Sequence, residues 1–584
     1  MLLQEFFHIL GHRIECHDVA VGRAAMIAKV DRKDGKFPGK FFADGVPIVG
    51  RAEQAVENNE WPSNPVNMEE KLHMVDVLIM KKDSKSMRGI VVKFFLAGCI
   101  CFFLNPSVCE AQRKTRQRPT TIHSMIKESD VDYQLWEGFT LVQKANAGEA
   151  AAQHELGLRY LTGKGFGTDT AKAVFWVQKS ADQQFLVARF NLGIFLLNGI
   201  GRNWSPFEAY RLFESAAEKK LPEAAYVQGL LLTENLVVPR DWLRAYELIK
   251  EAADNDFAAA KKILKEFEKR GIHVDSTKSK SAKDSSSKKL RPIFLTFDVD
   301  TSSHADDSTI VADLMREGSS QLKKSLEAMR TQPEDRTATA LTMKSLTEEA
   351  DAGSPEALTY LGRLYEKGLS IQKDRFMAAE CYLRALRAES PRAHELLWNL
   401  AHEQGFAQEL ERKAKSADAQ AQFIWSGLLA VQVENRLTPD QALGMLQSAT
   451  DKNYRQALIE LGMCYQSGRW VKQDRAKAEG FWRQAAGLGS VEARIRLAAI
   501  SVVRGEQVET NLATLRQAME DGSVIALVAL GYCHEKGIGL ARNKGEGARM
   551  YRDAVQRGSE NAYAALRRMH DEIRPKEKKF EVEE

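Results

Sequence analysis

Small apolar residues return along this chain at a nearly fixed step. Ala152, Ala188, Ala224 and Ala260 follow one another at intervals of 36 residues. The series resumes at Ala357, Ala393, Ala421, Ala457, Ala493, Ala526 and Ala562, with steps of 36, 28, 36, 36, 33 and 36. Four residues after the anchor stands a leucine, often followed by glycine: Leu156-Gly157, Leu192-Gly193, Leu361-Gly362, Leu461-Gly462 and Leu530-Gly531. A spacing of four keeps anchor and leucine on one helix face. A second alanine comes 21 residues after the anchor, at Ala173, Ala209, Ala245, Ala378 and Ala478. A third precedes the next anchor by 7, at Ala181, Ala217, Ala253 and Ala350. The unit reads as helix A, turn, helix B, turn. One such hairpin cannot bury its apolar face alone, whereas stacked neighbours make a continuous core.

The polar positions mark the turns. Seventeen residues after the anchor stand Asp169, Ser205, Asp241, Asp374, Thr438, Asp474 and Asn543. Their side chains suit the free N–H groups that open a helix. Pro206 and Pro439 follow at the first helical position, where the missing N–H costs nothing. Gly163, Gly199, Gly368, Gly468 and Gly537 stand 11 after their anchors, placed to end helix A at positive φ. The aromatics Trp176 and Phe481, 24 after their anchors, and Tyr551, 25 after Ala526, are expected in the core.

The pattern Ala-x-x-x-Leu-Gly-x-x-Tyr-x-x-Gly-x-Gly, then Asp-x-x-Lys-Ala-x-x-Trp-x-x-Lys-Ser-Ala, runs from Ala152 to Ala181. It resembles the Sel-1-like repeat, a short relative of the tetratricopeptide repeat. The resemblance covers residues 130–271 and 341–574. It implies an all-α fold, an α-solenoid of antiparallel helix hairpins in two arrays. Units at Ala260, Ala393 and Ala493 lack the glycine, with Leu264-Lys265, Leu397-Trp398 and Leu497-Ala498 in its place. The 28-residue step before Ala421 means either a truncated hairpin or a helix that runs on. Proteins of this kind act as scaffolds and adaptors, often in bacterial envelopes or signalling complexes. The resemblance thus implies a protein–protein interaction scaffold of the bacterial exported type, with protein partners on concave faces.

Residues 276–290 are a Ser/Lys stretch that cannot bury a core, so 272–340 reads as a linker that lets the arrays move relative to each other. Within it, Pro292–Phe297 is a short apolar island and Leu314–Met329 has the pattern of one amphipathic helix. Residues 575–584 read as a charged tail. The net charge of +4 is small for 584 residues, so no nucleic-acid partner is expected.

Residues 1–79 show no repeat register. Phe94–Leu104 form an apolar run preceded by Lys81, Lys82, Lys85, Arg88 and Lys93 and ended by Asn105-Pro106. Val108-Cys109-Glu110-Ala111 then puts small residues where a signal peptidase reads, with cleavage after Ala111. Residues 80–111 therefore have the layout of a secretory signal. The apolar run is shorter than the about 20 residues of an ordinary transmembrane helix. Its depth in the chain implies translation from Met80 or Met87, with 1–79 an extension of no folded role. The other reading is a genuine N-terminal segment with 90–104 as a membrane anchor. Leu96-Ala97-Gly98-Cys99 also resembles a lipobox, which would make Cys99 the lipidated residue, although Ile100–Leu104 stay apolar beyond it. The expected location is the periplasm or cell envelope, or outside the cell. A membrane partner follows only from lipid on Cys99 or an anchor at 90–104.

Seven cysteines occur, and the equivalent Cys464 and Cys533 fall in units that are not neighbours, too far apart for a disulfide. No zinc spacing appears, and His394 and His402 lack a third ligand. Gly163-Lys164-Gly165-Phe166-Gly167 joins two helices rather than a strand and a helix, so it is turn chemistry and not a phosphate loop. No catalytic, metal or cofactor site is expected. The charged residues Arg159, Arg363 and Glu366, on helix A faces turned away from helix B, are the candidates for partner contacts. A glycan- or peptidoglycan-binding envelope regulator is the alternative function.

Overall fold

The computed structural model describes residues 125–127, 138–272, 306–331, 336–434 and 436–582. Among the described residues successive α-helices pack as neighbours, and a short 3-10 turn lies at Lys578–Phe580. A regular unit has helices of 13 residues, as in Leu186–Asn198 and Pro206–Glu218, with a loop of 7 residues between them and one of 3 before the next unit. These lengths account for the period of 36.

The short steps remove whole structural pieces. Around Ala393 the helices shrink to Ala393–Ala401 and Phe406–Lys415, of 9 and 10 residues. The 28-residue step is thus a truncated hairpin. The loss of about two helical turns (3.6 residues each) keeps the apolar faces in register. In the 33-residue step both helices, Val491–Val503 and Val508–Glu520, keep 13 residues, and the shortening falls on the loop between them.

Caps follow the polar pattern with one exception. Asp169, Asp241, Asp374, Thr438, Asp474 and Asn543 each accept a backbone N–H at the start of helix B. Ser205 occupies the same position but its side chain makes no cap bond; Pro206 presets the first helical turn there instead. Gly163, Gly199, Gly368, Gly468 and Gly537 end helix A at positive φ, and Asn235 takes that place in the third unit.

A second left-handed position escaped the sequence reading. Four residues before each anchor, φ is positive at Gly148, Gln184, Lys220, Asp256, Gly353, Glu389, Ala417, Asn453, Gly489, Gly522 and Gly558. A side chain there costs about 1–2 kcal/mol. Part of that returns through the freer unfolded chain that glycine brings. Lys220→Gly and Ala417→Gly are therefore each expected to stabilise the chain by about 0.5–1 kcal/mol. Thermal melts of the two variants check this; a lower Tm in both would refute it.

The glycine after the leucine lets helix B approach helix A. A Cβ on Gly193 would lie 2.6 Å from Phe213, and one on Gly462 would lie 2.4 Å from the Trp482 indole nitrogen. The partners Val177, Phe213, Ile249, Tyr382, Trp482 and Tyr551 all stand 25 residues after their anchors. They are the large residues of the hairpin core, and only Tyr551 of the expected aromatics is among them. Trp176 and Phe481, one position earlier, are only partly buried, because one residue turns a side chain about 100° round the helix. Gly462→Ala is expected to cost about 1–3 kcal/mol, since Trp482 is fixed by donating its indole N–H to the Ile459 carbonyl at 3.2 Å. Urea unfolding measures it, with Gly480→Ala, which meets nothing within 4 Å, as control.

Part of the expected linker is structured. Asp307–Glu317 and Ser320–Thr331 are two helices where one was expected over 314–329, and they break at Gly318, whose N–H returns to the Leu314 carbonyl. Ile310, Leu314, Leu322 and Leu326 join the core of the second array. The segments 276–290 and 292–297 lie outside the described residues.

The arrays also touch, contrary to the expectation of free movement. Tyr563 donates to the Glu234 carbonyl at 3.1 Å, and Arg574 to the Leu236 carbonyl at 2.8 Å. Gly545 packs on Asn198 and Gly199 so closely that a Cβ would lie 2.0 Å from the Asn198 carbonyl oxygen. The second array also meets itself: Arg557 pairs with Glu356, 201 residues away.

Candidate partner-binding surfaces

Helix A presents two further positions on one face, just before the anchor and three residues after it. In the second array these hold Glu356, Arg392, Gln456, Glu460, Glu492, Arg496 and Asn561. They do not repeat in type. They are largely buried, because helices that are distant in sequence close over them.

Arg387, on helix B of the first complete unit of that array, sits at the centre. Its guanidinium donates to Glu492 at 2.9 and 2.7 Å, to Gln456 at 2.6 Å and to Glu460 at 3.3 Å. Arg496 donates to Glu492 at 3.1 and 2.8 Å, and Arg469 pairs with Glu460. Burial alone would push the Glu492 carboxyl up, but Arg387 and Arg496 together outweigh it and hold it well below the usual carboxylate range. Glu460 is held down in the same way by Arg469 and Arg387. Beside the network lies a cavity of about 260 Å³, walled by Leu383, Leu386, Phe423, Met463 and Ile525 as well as by the arginines. The interior of the second array is thus an internally paired core.

The residues expected to touch partners lie in two places. Arg159, in the first array, is buried and paired with Glu155 at 2.9 Å. Arg363 pairs with Glu366 at 2.7 Å and with Asp307 of the bridging helices at 2.6 Å. Glu366 also accepts the Tyr382 hydroxyl. All three side chains already have partners within the chain. The cleavage site Ala111 and the lipidation candidate Cys99 lie outside the described residues. Among the described residues Cys381, Cys464 and Cys533 are free and buried, and burial pushes their thiols up to about 12, 11 and 12. His402 stacks on the exposed Trp398, and no group of His, Cys, Asp and Glu among the described residues is placed to hold a metal.

The first array holds a feature that the sequence reading passed over. The segment after the last helix turns back onto the helix Pro206–Glu218. Phe580 is fully buried there, its ring edge-on to Phe207 at 5.1 Å and to Tyr210 at 6.1 Å. The Arg211 guanidinium covers the ring at 5.3 Å and pairs with Glu577. Lys579 pairs with Glu214 at 3.1 Å, and Arg574 donates to the Phe580 carbonyl at 2.7 Å. An open cleft of about 730 Å³ continues from this seat, between Arg202–Arg211 and Ile573–Pro575. A single aromatic within an otherwise charged ending was the available signal.

Stacked antiparallel hairpins with a shared core define an α-solenoid repeat protein. The Sel1 repeat matches residues 150–185, 186–221, 355–390, 455–490 and 524–559, so the chain carries five Sel1 repeats. The hairpins between these matches keep the same geometry, as Pro222–Glu234 and Trp242–Asp254 show. Solved structures similar to the chain include a protective antigen of uropathogenic Escherichia coli displaying an SLR fold, at 20% identity and a TM-score of 0.26, over 73% of this chain and 81% of that one. A Sel1 repeat protein from Oxalobacter formigenes is similar at 18% identity and a TM-score of 0.18, over 59% of this chain and 89% of that one. No curated protein matches the chain. Sel1 repeats generally mediate protein–protein interaction, and solenoids built from them are typically non-catalytic scaffolds.

Proposed function

We propose that this protein is a non-catalytic scaffold or adaptor for protein partners, exported to the bacterial cell envelope. The observation that carries the scaffold reading is the C-terminal segment seated on the first array. An aromatic anchor, flanking ion pairs and a main-chain carbonyl hold it there, as an array holds a partner's segment. The partner surface is then the outward part of the first array and its cleft, since the interior of the second array is filled by its own ion pairs. Export is supported by the apolar run at 94–104 behind its lysines and by the small residues up to Ala111.

Cross-linking of the full chain in its native cells, followed by identification of the linked peptides, tests the scaffold reading. Links from residues 138–272 to one recurring protein are expected; links no richer than those of a protein of equal charge would end it. N-terminal mass spectrometry of native material tests export. Peptides starting after Ala111, or a lipidated Cys99, are expected, and peptides from residues 1–79 would overturn it.

A further inference from the structure

We propose that the seat of Phe580 on the first array is a docking site for a partner protein's chain segment, and that the protein's own C-terminal tail is its resident competitor. The segment it fits carries an aromatic anchor, an acidic residue three positions before it and a lysine or arginine immediately before it. The proposal rests on the scaffold reading and specifies which surface serves it.

The chemistry of the seat sets those requirements. Phe207 and Tyr210 form an aromatic wall that takes a ring edge-on, and Arg211 closes it from above. Arg211 takes the acid at Glu577, three residues before the ring, and Glu214 takes the base at Lys579, one before it. These charges are half exposed, so they select sequence and orientation more than they add affinity. The buried ring supplies the anchor.

The space beside the seat extends beyond what the tail fills. The cleft of about 730 Å³ beside it is bounded by first-array residues on one side and by only Ile573 and Pro575 of the tail on the other. Trp204, 6% exposed, lines that cleft, and its indole N–H finds no acceptor among the described residues. Ser205 beside it also leaves its capping bond unmade. A partner segment that lies along the cleft and places its aromatic residue in the seat displaces Phe580. Tail and partner therefore exclude one another.

The test uses the full chain and a fluorophore-labelled synthetic peptide of residues 575–584. The Phe580→Ala chain is expected to bind the peptide at least tenfold more tightly than the intact chain does, by fluorescence anisotropy. The same peptide with Phe580→Ala is expected not to bind either chain. Phe580 also supports the contact between the arrays, so a second variant guards against misfolding. Glu577→Lys with Lys579→Glu, both at the surface, reverses the tail's charges and is expected to open the seat to the wild-type peptide at least threefold. Equal binding by the intact chain and both variants, or binding of the alanine peptide, overturns the proposal. An intact chain that sediments as a dimer, and becomes a monomer on Phe580→Ala, also overturns it, because a second copy is then the occupant. Failure here, together with native cross-links from 138–272 to a recurring protein, removes this docking site and leaves the scaffold reading standing.

Discussion

Arg387→Ala is expected to destabilise the second array by about 3–5 kcal/mol, the cost of breaking a buried ion-pair cluster from one side. Arg387 is 3% exposed and serves Glu492, Gln456 and Glu460 at once. Removing it strands acceptors that no other group fully serves. Arg496 still reaches Glu492, and Arg469 still reaches Glu460, so the loss stays within that range. Arg387→Lys should recover only part of it, because a single ammonium cannot match the planar fork that meets three acceptors. Urea unfolding followed by circular dichroism measures the effect. Arg483→Ala removes an exposed guanidinium from Glu479, which keeps Arg504, so it serves as a control and should change stability by less than about 0.5 kcal/mol. A loss below about 1 kcal/mol for Arg387→Ala would mean that water already reaches the interior, and that this face is open to partners after all.

Lowering the pH from 7.5 to 5 is expected to weaken the first array and its contact with the second by about 4 kcal/mol. Burial brings the His154 imidazole down from 6.5 to about 4. Burial, reinforced by the Arg552 charge, brings His570 down to about 3. Both rings are packed as neutral groups, His154 beside Asn191 and Phe185, and His570 edge-on to Trp204 at 4.9 Å. The unfolded chain binds protons at these rings below pH 6.5 while the folded chain does not. Their stabilisation is therefore complete above 6.5 and is lost as the pH falls toward their folded values. At pH 5 each has lost about 2 kcal/mol. The carboxylates of Glu492 and Glu460 are shifted the other way and contribute their loss only below the ordinary carboxylate range. Urea midpoints between pH 7.5 and 5 measure the slope, and a His154→Gln, His570→Gln double variant should flatten it. A slope unchanged by the double variant would sink the assignment.

The repeat was legible because its determinants are local. Asp474 reaches an N–H three residues away, and Gly468 caps a carbonyl four residues back. These contacts form inside one hairpin, so they leave a periodic trace. The core aromatics were read one position early, since Trp176 and Trp482 both suit an apolar helix face and only the close pass at Gly462 separates the two positions. Arg363 and Glu366 were recognised as charged helix A residues, but nothing near them in sequence announces Asp307.

The chain by itself determined the α-solenoid, its unit length, its caps and the break between its arrays. Tertiary structure alone decided which charged faces remain open. Arg387 and Glu492 are 105 residues apart, and Arg574 and Leu236 are 338 apart. Contacts between repeats far apart in the chain join positions that do not repeat. An arginine that meets three buried acceptors looks, in sequence, the same as one that meets water. The same holds for Phe580: its charged neighbours suggest a solvated end, and only the aromatic wall of Phe207 and Tyr210 makes it an anchor.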